Sequence, residues 1–201
     1  MPAAAPLAAD ACASIDARAS DRRNAQAPGA DAEAICMDAL PPEIRLEVAD
    51  TAPLIDAARE IFRDYARSLP VDLSFQNFDA ELAALPGDYA APGGKLLLAW
   101  VDGEVAACGA MRGVSEADDA NACEMKRLYV RPAFRRFGLG RLLAQALLDE
   151  ARSAGYSVML LDTLDEMEAA RGLYASLGFE EIPPYYFNPI AGAHYLKAEL
   201  G

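Results

Sequence analysis

Between positions 123 and 147 the chain must pass from a strand into a helix, and that junction constrains the fold more than any other stretch. Cys123 to Val130 reads as a strand, which Pro132 stops because proline has no N–H to give to a ladder. Beyond it Leu139, Leu142, Leu143, Ala146 and Leu147 fall on one helical face, and Gly155 follows the helix end. The turn between them is Arg135-Arg136-Phe137-Gly138-Leu139-Gly140-Arg141. A strand-to-helix turn gathers unpaired backbone N–H groups and the positive end of the helix dipole at one point. Gly138 and Gly140 remove Cβ atoms that would keep an anion from that backbone. Arg135, Arg136 and Arg141 add local charge in a chain whose net charge is −13. The junction suits a phosphate or pyrophosphate.

Two common phosphate-binding patterns fail on specific residues. A phosphate loop of the Walker type needs Gly-Lys-Ser/Thr, which is absent here. The dinucleotide fingerprint needs a third glycine where Leu143 stands, and its strand should open a βαβ unit rather than end a meander.

The flanking segments predict the rest of the fold. Ile44 to Val48 alternates apolar and polar side chains, as a half-buried strand does. Leu54, Ala58, Ile61, Phe62 and Tyr65 recur at helical spacing, with Thr51 as cap and Pro53 in the first turn. Phe75 to Leu85 reads as a shorter second helix ended by Pro86-Gly87. Lys95 to Val101 and Glu104 to Met111 are strands joined by Asp102-Gly103, a strong hairpin signal, and Cys123 to Val130 completes the meander after a polar connection at Ala117 to Ala120. Ser157 to Leu161 is a nearly continuous apolar run, expected of a strand buried on both faces. A fourth helix carries Ala170, Leu173, Tyr174 and Leu177 on one stripe, closed by Gly178, and Phe179 to Ile182 and Tyr195 to Leu200 are short terminal strands. The order β-α-α-β-β-β-α-β-α-β-β predicts one α/β domain over residues 43–201, a mixed, largely antiparallel sheet flanked by helices. Residues 1–42, rich in Ala, Asp and Pro without a sustained period, are expected to be a disordered extension, and Met37 is a candidate start of translation.

Two blocks carry a family resemblance. Glu124-Met-Lys-Arg-Leu-Tyr-Val-Arg-Pro132, followed by Phe134 to Leu143, resembles the GNAT superfamily of N-acetyltransferases. That family's acetyl-CoA motif, Arg/Gln-x-x-Gly-x-Gly/Ala after the central strand, is matched by Arg135, Gly138 and Gly140. Ala170-Arg-Gly-Leu-Tyr174 with Leu177-Gly-Phe179 matches a second block, and the resemblance spans about residues 44 to 200. It implies acetyl-CoA as co-substrate. It also implies that backbone groups of Leu128, Tyr129 and Val130 pair with the pantetheine arm, and that amides of Phe137, Gly138, Leu139, Gly140 and Arg141 hold the pyrophosphate. Two positions depart from the family. Arg136 stands where Gly is frequent, either touching the 3′-phosphate or facing solvent, and Met167 stands where Asn is frequent, which removes a side-chain hydrogen bond to the coenzyme.

Acyl transfer to an amine requires a neutral amine, a polarised thioester carbonyl and a proton for the departing thiolate. Glu124, four residues before Leu128, resembles the catalytic Glu of several histone-type members and is the candidate base. The other reading of Glu124 is an ion pair with Lys126 or Arg127, or a solvated strand start. Tyr174 aligns with a tyrosine thought to protonate the coenzyme sulfur and is the candidate acid; otherwise it is a core aromatic whose hydroxyl finds a backbone partner. His194, the single histidine, reads as structural or solvated. Pro183 to Pro189 is either a lid over the acceptor or a packed crossover, and by family analogy Asp72 to Phe78 lines the acceptor side. Two functions fit: an N-acetyltransferase passing acetyl directly to an amine in a ternary complex, or a coenzyme-binding sensor or interaction module without turnover.

The acidic balance argues against nucleic acid and against an anionic membrane surface as partners. No apolar run approaches the roughly 18 residues of a membrane span, and no secretion signal is visible at the start. Cys12, Cys36, Cys108 and Cys123 show no metal-ligand or disulfide spacing, so no metal is expected and the cytoplasm is the expected compartment. The partner is then a small-molecule or protein amine, and the resemblance admits a homodimer.

Overall fold

The computed structural model describes residues 41–71, 73–115, 119 and 121–201, without the side chains of Ser74 and Phe75. Residues 1–40 of the expected extension, Met37 among them, and most of the connection Ala117 to Ala120 lie outside the described residues.

Among the described residues seven strands form one sheet: β1 (Ile44–Val48), β2 (Lys95–Val101), β3 (Glu104–Val114), β4 (Ala122–Val130), β5 (Val158–Leu164), β6 (Glu180–Ile182) and β7 (Ala193–Glu199). Their spatial order is β1-β2-β3-β4-β5-β7-β6, and every neighbouring pair is antiparallel except β4 and β5. The expected hairpin forms, with Asp102 at φ 49° and Gly103 at φ 83°, the left-handed pair that a tight right-twisting turn requires. Among the described residues four α-helices accompany the sheet: α1 (Ala52–Ser68), α2 (Phe78–Ala84), α3 (Leu139–Ser153) and α4 (Glu168–Ser176).

Alternation along β2 sorts the core into two layers. Leu97, Ala99 and Val101 pack with Leu139, Leu143 and Leu147 of α3 and with Tyr174 of α4. Leu96 and Leu98 pack on the opposite face with Ala58, Ile61 and Phe62 of α1 and with Phe78 and Leu82 of α2. Each buried aliphatic side chain removed from water contributes about 1.5–3 kcal/mol, so both faces of the central strands hold helices firmly.

Local expectations need correction at three places. The segment Phe75 to Leu85 is not one helix: a 3₁₀ turn covers Leu73–Gln76, and Asn77, at φ 56°, separates it from α2. Asparagine tolerates this left-handed conformation, which breaks the helical ladder. Thr51 takes the cap position of α1, but its side chain makes no capping hydrogen bond. Ile44 and Val48 are 39% and 38% exposed, because β1 is an edge strand with β2 as its one neighbour.

Two irregularities in β4 shape the site. Between the pairs Cys108↔Tyr129 and Ala110↔Lys126, β3 moves from 108 to 110 while β4 moves from 126 to 129, so β4 carries an extra residue. Arg127, at φ 58°, stands in this bulge. The bulge reverses which face later residues occupy. Cys123 and Met125 lie in the α3 layer, yet after the bulge Leu128 and Val130 lie there and Tyr129 enters the α1 layer. The parallel pairing of β4 with β5 then covers Ala122, Cys123 and Glu124 alone. Past Glu124 the strands part, and the β5-facing backbone edge of β4 is left open.

Candidate active site

The parting of β4 and β5 opens a cleft of about 620 Å³ that reaches the turn before α3. Leu128, Tyr129, Val130, Arg135, Gly138, Gly140 and Arg141 line it from one side, and Met167, Leu173 and Tyr174 from the other. The first backbone bond inside α3 runs from the Leu142 N–H to the Gly138 carbonyl, so the amides of Leu139, Gly140 and Arg141 precede the helical ladder. Gly138 sits at φ 71°, and an added Cβ there would meet nothing within 4 Å. Backbone conformation rather than space therefore demands glycine at 138. At Gly140 a Cβ would point towards Leu173 and Val130, at 3.6 and 3.8 Å from their side chains, and so into the mouth of the cleft.

The predicted turn residues divide by role. Arg135 donates from Nε to the Val130 carbonyl at 3.4 Å, and Arg141 donates from Nη2 to Ser176 Oγ at 2.6 Å. Neither is among the ion pairs of the described residues, so both guanidinium charges are available at the cleft. The side chains of Arg136, Phe137 and Leu139 do not line it. Leu139 is buried in the α3 layer, which fixes the helix start but leaves its amide alone to serve a ligand. Phe137 packs on Phe134, with ring centroids 6.2 Å apart.

At its inner end the cleft meets a cavity of about 50 Å³, lined among others by Tyr65, Leu128, Met167 and Tyr174, which the two spaces share, and by Lys126 and Asp162. The Tyr174 ring packs on Phe179 at 5.6 Å. Its hydroxyl has no hydrogen-bond partner among the described residues, so the backbone partner of the alternative reading is missing. Burial pushes the Tyr174 pKa upward, and the residue is a phenol, hence a proton donor, at neutral pH. Met167 holds the cap position of α4 without a side-chain bond and lines both spaces.

The small cavity shares Gln76, Lys126 and Arg127 with a second pocket of about 250 Å³. Glu124 is 2% exposed on its wall. Arg112 donates from Nε and Nη2 to its Oε2 at 3.2 and 3.1 Å. The Tyr185 hydroxyl donates to its Oε1 at 2.8 Å, and Lys126 Nζ lies 3.4 Å from the same oxygen. The candidate base thus has both oxygens engaged by neighbouring side chains. Arg127 is not one of those partners. It donates to Glu81 from Nε and Nη2 at 2.8 and 2.5 Å, and from Nη1 to Gln76 Oε1 at 2.9 Å.

Tyr185, Tyr186 and Tyr195 pack together with centroids 5.3–5.5 Å apart, while Phe187 of the same Pro183 to Pro189 segment is 87% exposed, and all but Tyr195 wall the pocket. Leu73 and Gln76 line the small cavity, whereas residue 72 and the side chains of Ser74 and Phe75 lie outside the described residues.

Sequence reading did not single out Arg112, Asp162 or the Glu81–Arg127 pair. Arg112 was within reach, because the hairpin register puts it directly opposite Glu124. The other two depend on long-range packing. Cys108 and Cys123 are free and buried; burial drives the Cys108 thiol far up and pushes Cys123 up to about 12, so neither is a ready nucleophile. His194 bonds Asp165 and Glu181 away from the cavity, in keeping with a structural role. Among the described residues no group of three or more His, Cys, Asp or Glu could hold a metal ion, and no helix is long and apolar enough to cross a membrane.

The profile described as the acetyltransferase (GNAT) family matches residues 55–179. An uncharacterised N-acetyltransferase of Schizosaccharomyces pombe is 37% identical over 161 residues, 80% of this chain and 97% of that protein. Among solved structures, a GNAT-family acetyltransferase of Staphylococcus aureus superposes with a TM-score of 0.64 at 17% identity, covering 79% of this chain and 100% of that one. The yncA protein of Salmonella typhimurium, solved with acetyl-CoA, superposes with a TM-score of 0.55 at 23% identity, covering 79% of this chain and 95% of that one.

Proposed function

This chain belongs to the acetyltransferase (GNAT) family, and from that premise we propose that it passes an acetyl group from acetyl-CoA directly to an amine while both substrates are bound. One observation carries the reading. The cleft with unpaired amides at one end shares Leu128 and Tyr174 with the small cavity, and that cavity shares Gln76, Lys126 and Arg127 with a second pocket. Two substrates entering from opposite ends would meet beside that hydroxyl.

The residues fit the coenzyme. The amides of Leu139, Gly140 and Arg141, with the Arg135 and Arg141 charges, suit its diphosphate. The open backbone edge of Leu128, Tyr129 and Val130 suits the amides of its pantetheine arm, as an added strand would. The acetyl-CoA bound to the yncA relative points to the same ligand. When bound, the coenzyme supplies a thioester whose carbonyl carbon accepts the amine and whose sulfur leaves. Tyr174 donates a proton towards that sulfur. The buried thiols of Cys108 and Cys123 give no support to a covalent acyl-enzyme. The acceptor under this proposal is a small-molecule or protein amine met in the cytoplasm.

Release of free thiol from acetyl-CoA, followed across a panel of primary amines with the full chain, tests the proposal. Amine-dependent release is expected. Coenzyme binding without release for any amine would instead favour the sensor or interaction module, and absence of coenzyme binding would contradict both.

A further inference from the structure

Asp162 is a half-buried carboxylate whose partners are loosely placed. It stands on β5, just beyond Leu160, where β5 loses β4 as its neighbour. Its side chain is 16% exposed and lines the small cavity together with Tyr174. Asn188 Nδ2 lies 3.5 Å from Oδ2, Lys126 Nζ lies 3.9 Å from Oδ1, and the Tyr186 hydroxyl, which Asn188 also contacts, is the third group at the carboxylate. Both distances are at or beyond the outer limit of a hydrogen bond. A carboxylate removed from water normally gathers close donors, because desolvation is costly unless the charge is paired. Glu124, two residues from Lys126 on β4, illustrates the filled case, with partners at 2.8–3.4 Å on both oxygens.

We propose that Asp162 binds the ammonium group of the acceptor in the small cavity and takes the proton that frees its nitrogen, with Glu124 acting as a positioning residue that holds Arg112 and Tyr185 on the pocket wall. The inference rests on the acetyltransferase reading above. The acceptor arrives as an ammonium ion and gives one proton to the Asp162 carboxylate. Its nitrogen then forms the bond to the carbonyl carbon as the carbon–sulfur bond breaks. The departing sulfur takes the Tyr174 proton, the new amide nitrogen gives up its second proton to restore Tyr174, and Asp162 passes its proton to solvent. The cavity, about 50 Å³, has room for an ammonium head group. The bulkier part of the acceptor then occupies the second pocket, reached past Gln76, Lys126 and Arg127.

Calorimetry with two coenzyme derivatives tests this without knowledge of the natural acceptor. S-(2-aminoethyl)-CoA carries an ammonium beyond its sulfur, and S-propyl-CoA is its uncharged counterpart. The wild type is expected to prefer the aminoethyl derivative by about tenfold or more, the gain of one charged hydrogen-bonded contact. Asp162→Asn should abolish that preference while S-propyl-CoA binding, which reports the intact cleft, is retained; Asp162→Ser reads the same preference if the amide perturbs folding. Glu124→Gln should keep the preference. A preference that survives both Asp162 variants, or that disappears in Glu124→Gln instead, overturns the inference. Binding of neither derivative to the wild type overturns the coenzyme reading and this inference with it.

Discussion

Arg127 shows how one residue couples backbone shape to the site. A non-glycine residue in the left-handed region stores strain that its surroundings must hold in place. Here the hold is tight: the guanidinium is bidentate on Glu81 and lies 5.3 Å from the Phe78 ring centroid and 5.9 Å from that of Tyr65. Burial would raise the Glu81 carboxyl, but the Arg127 hydrogen bonds and charge outweigh it and hold the carboxyl below its usual range. A depressed carboxylate contributes stability that is present above its unfolded value, about 4.3, and is lost as pH falls through the lower folded value. Glu81→Ala leaves Arg127 buried and unpaired, so urea unfolding at pH 7 should report a loss of about 3–5 kcal/mol, with a smaller difference in acid. Tyr174 acts through one proton. Tyr174→Phe should lower turnover by roughly 10²- to 10⁴-fold while calorimetry finds coenzyme affinity nearly unchanged; unchanged turnover would remove the hydroxyl from the mechanism.

At the scale of elements, the junction from β4 to α3 was legible because every signal in it is local: the stopping proline, the two glycines, the apolar stripe of the helix. The break at Asn77 had a local cue as well, an asparagine able to take a left-handed turn, but the apolar spacing on either side obscured it. The bulge at Arg127 had none, since arginine rarely adopts that conformation and the register with β3 is a tertiary property. Asp162 was unmarked for a similar reason, because its importance comes from β5 leaving β4 two residues earlier. The loop after β5 is fastened by His194 on β7, which bonds Asp165 and also Glu181 on β6. These hydrogen bonds, Asp165 first and Glu181 next, raise the His194 pKa. A raised histidine contributes stability that is fully present below its unfolded value, about 6.5, and is lost as pH climbs through the folded value. The melting temperature of His194→Asn should therefore fall furthest below the wild type near pH 6, with the gap narrowing at alkaline pH. A gap that widens with pH would contradict this account of the clasp.

Among the described residues, seven strands and two helical layers leave β4 and β5 apart past Glu124, and the channel there is lined by a phenol and a carboxylate and shares its wall with two larger spaces. The element order and the sheet's mostly antiparallel character were readable from periodicity, because each strand and helix announces itself within about ten residues. The channel was not, because it is bounded by segments from Tyr65 to Ile190 that only the folded sheet brings together. The net charge of −13 sharpens the contrast with the turn before α3, where cations and helix amides face the cleft. Diphosphate binding at that turn is the central claim, and calorimetric titration of acetyl-CoA into Gly138→Asp/Gly140→Asp tests it most directly. Aspartate tolerates the left-handed cap and favours the first helical turn, so the helix survives while two negative charges oppose the ligand. The uncharged Gly138→Asn/Gly140→Asn pair controls for the added side chains. The account predicts that the aspartate pair weakens binding by at least about 100-fold relative to wild type and well beyond the asparagine pair; equal affinity in all three proteins would contradict it.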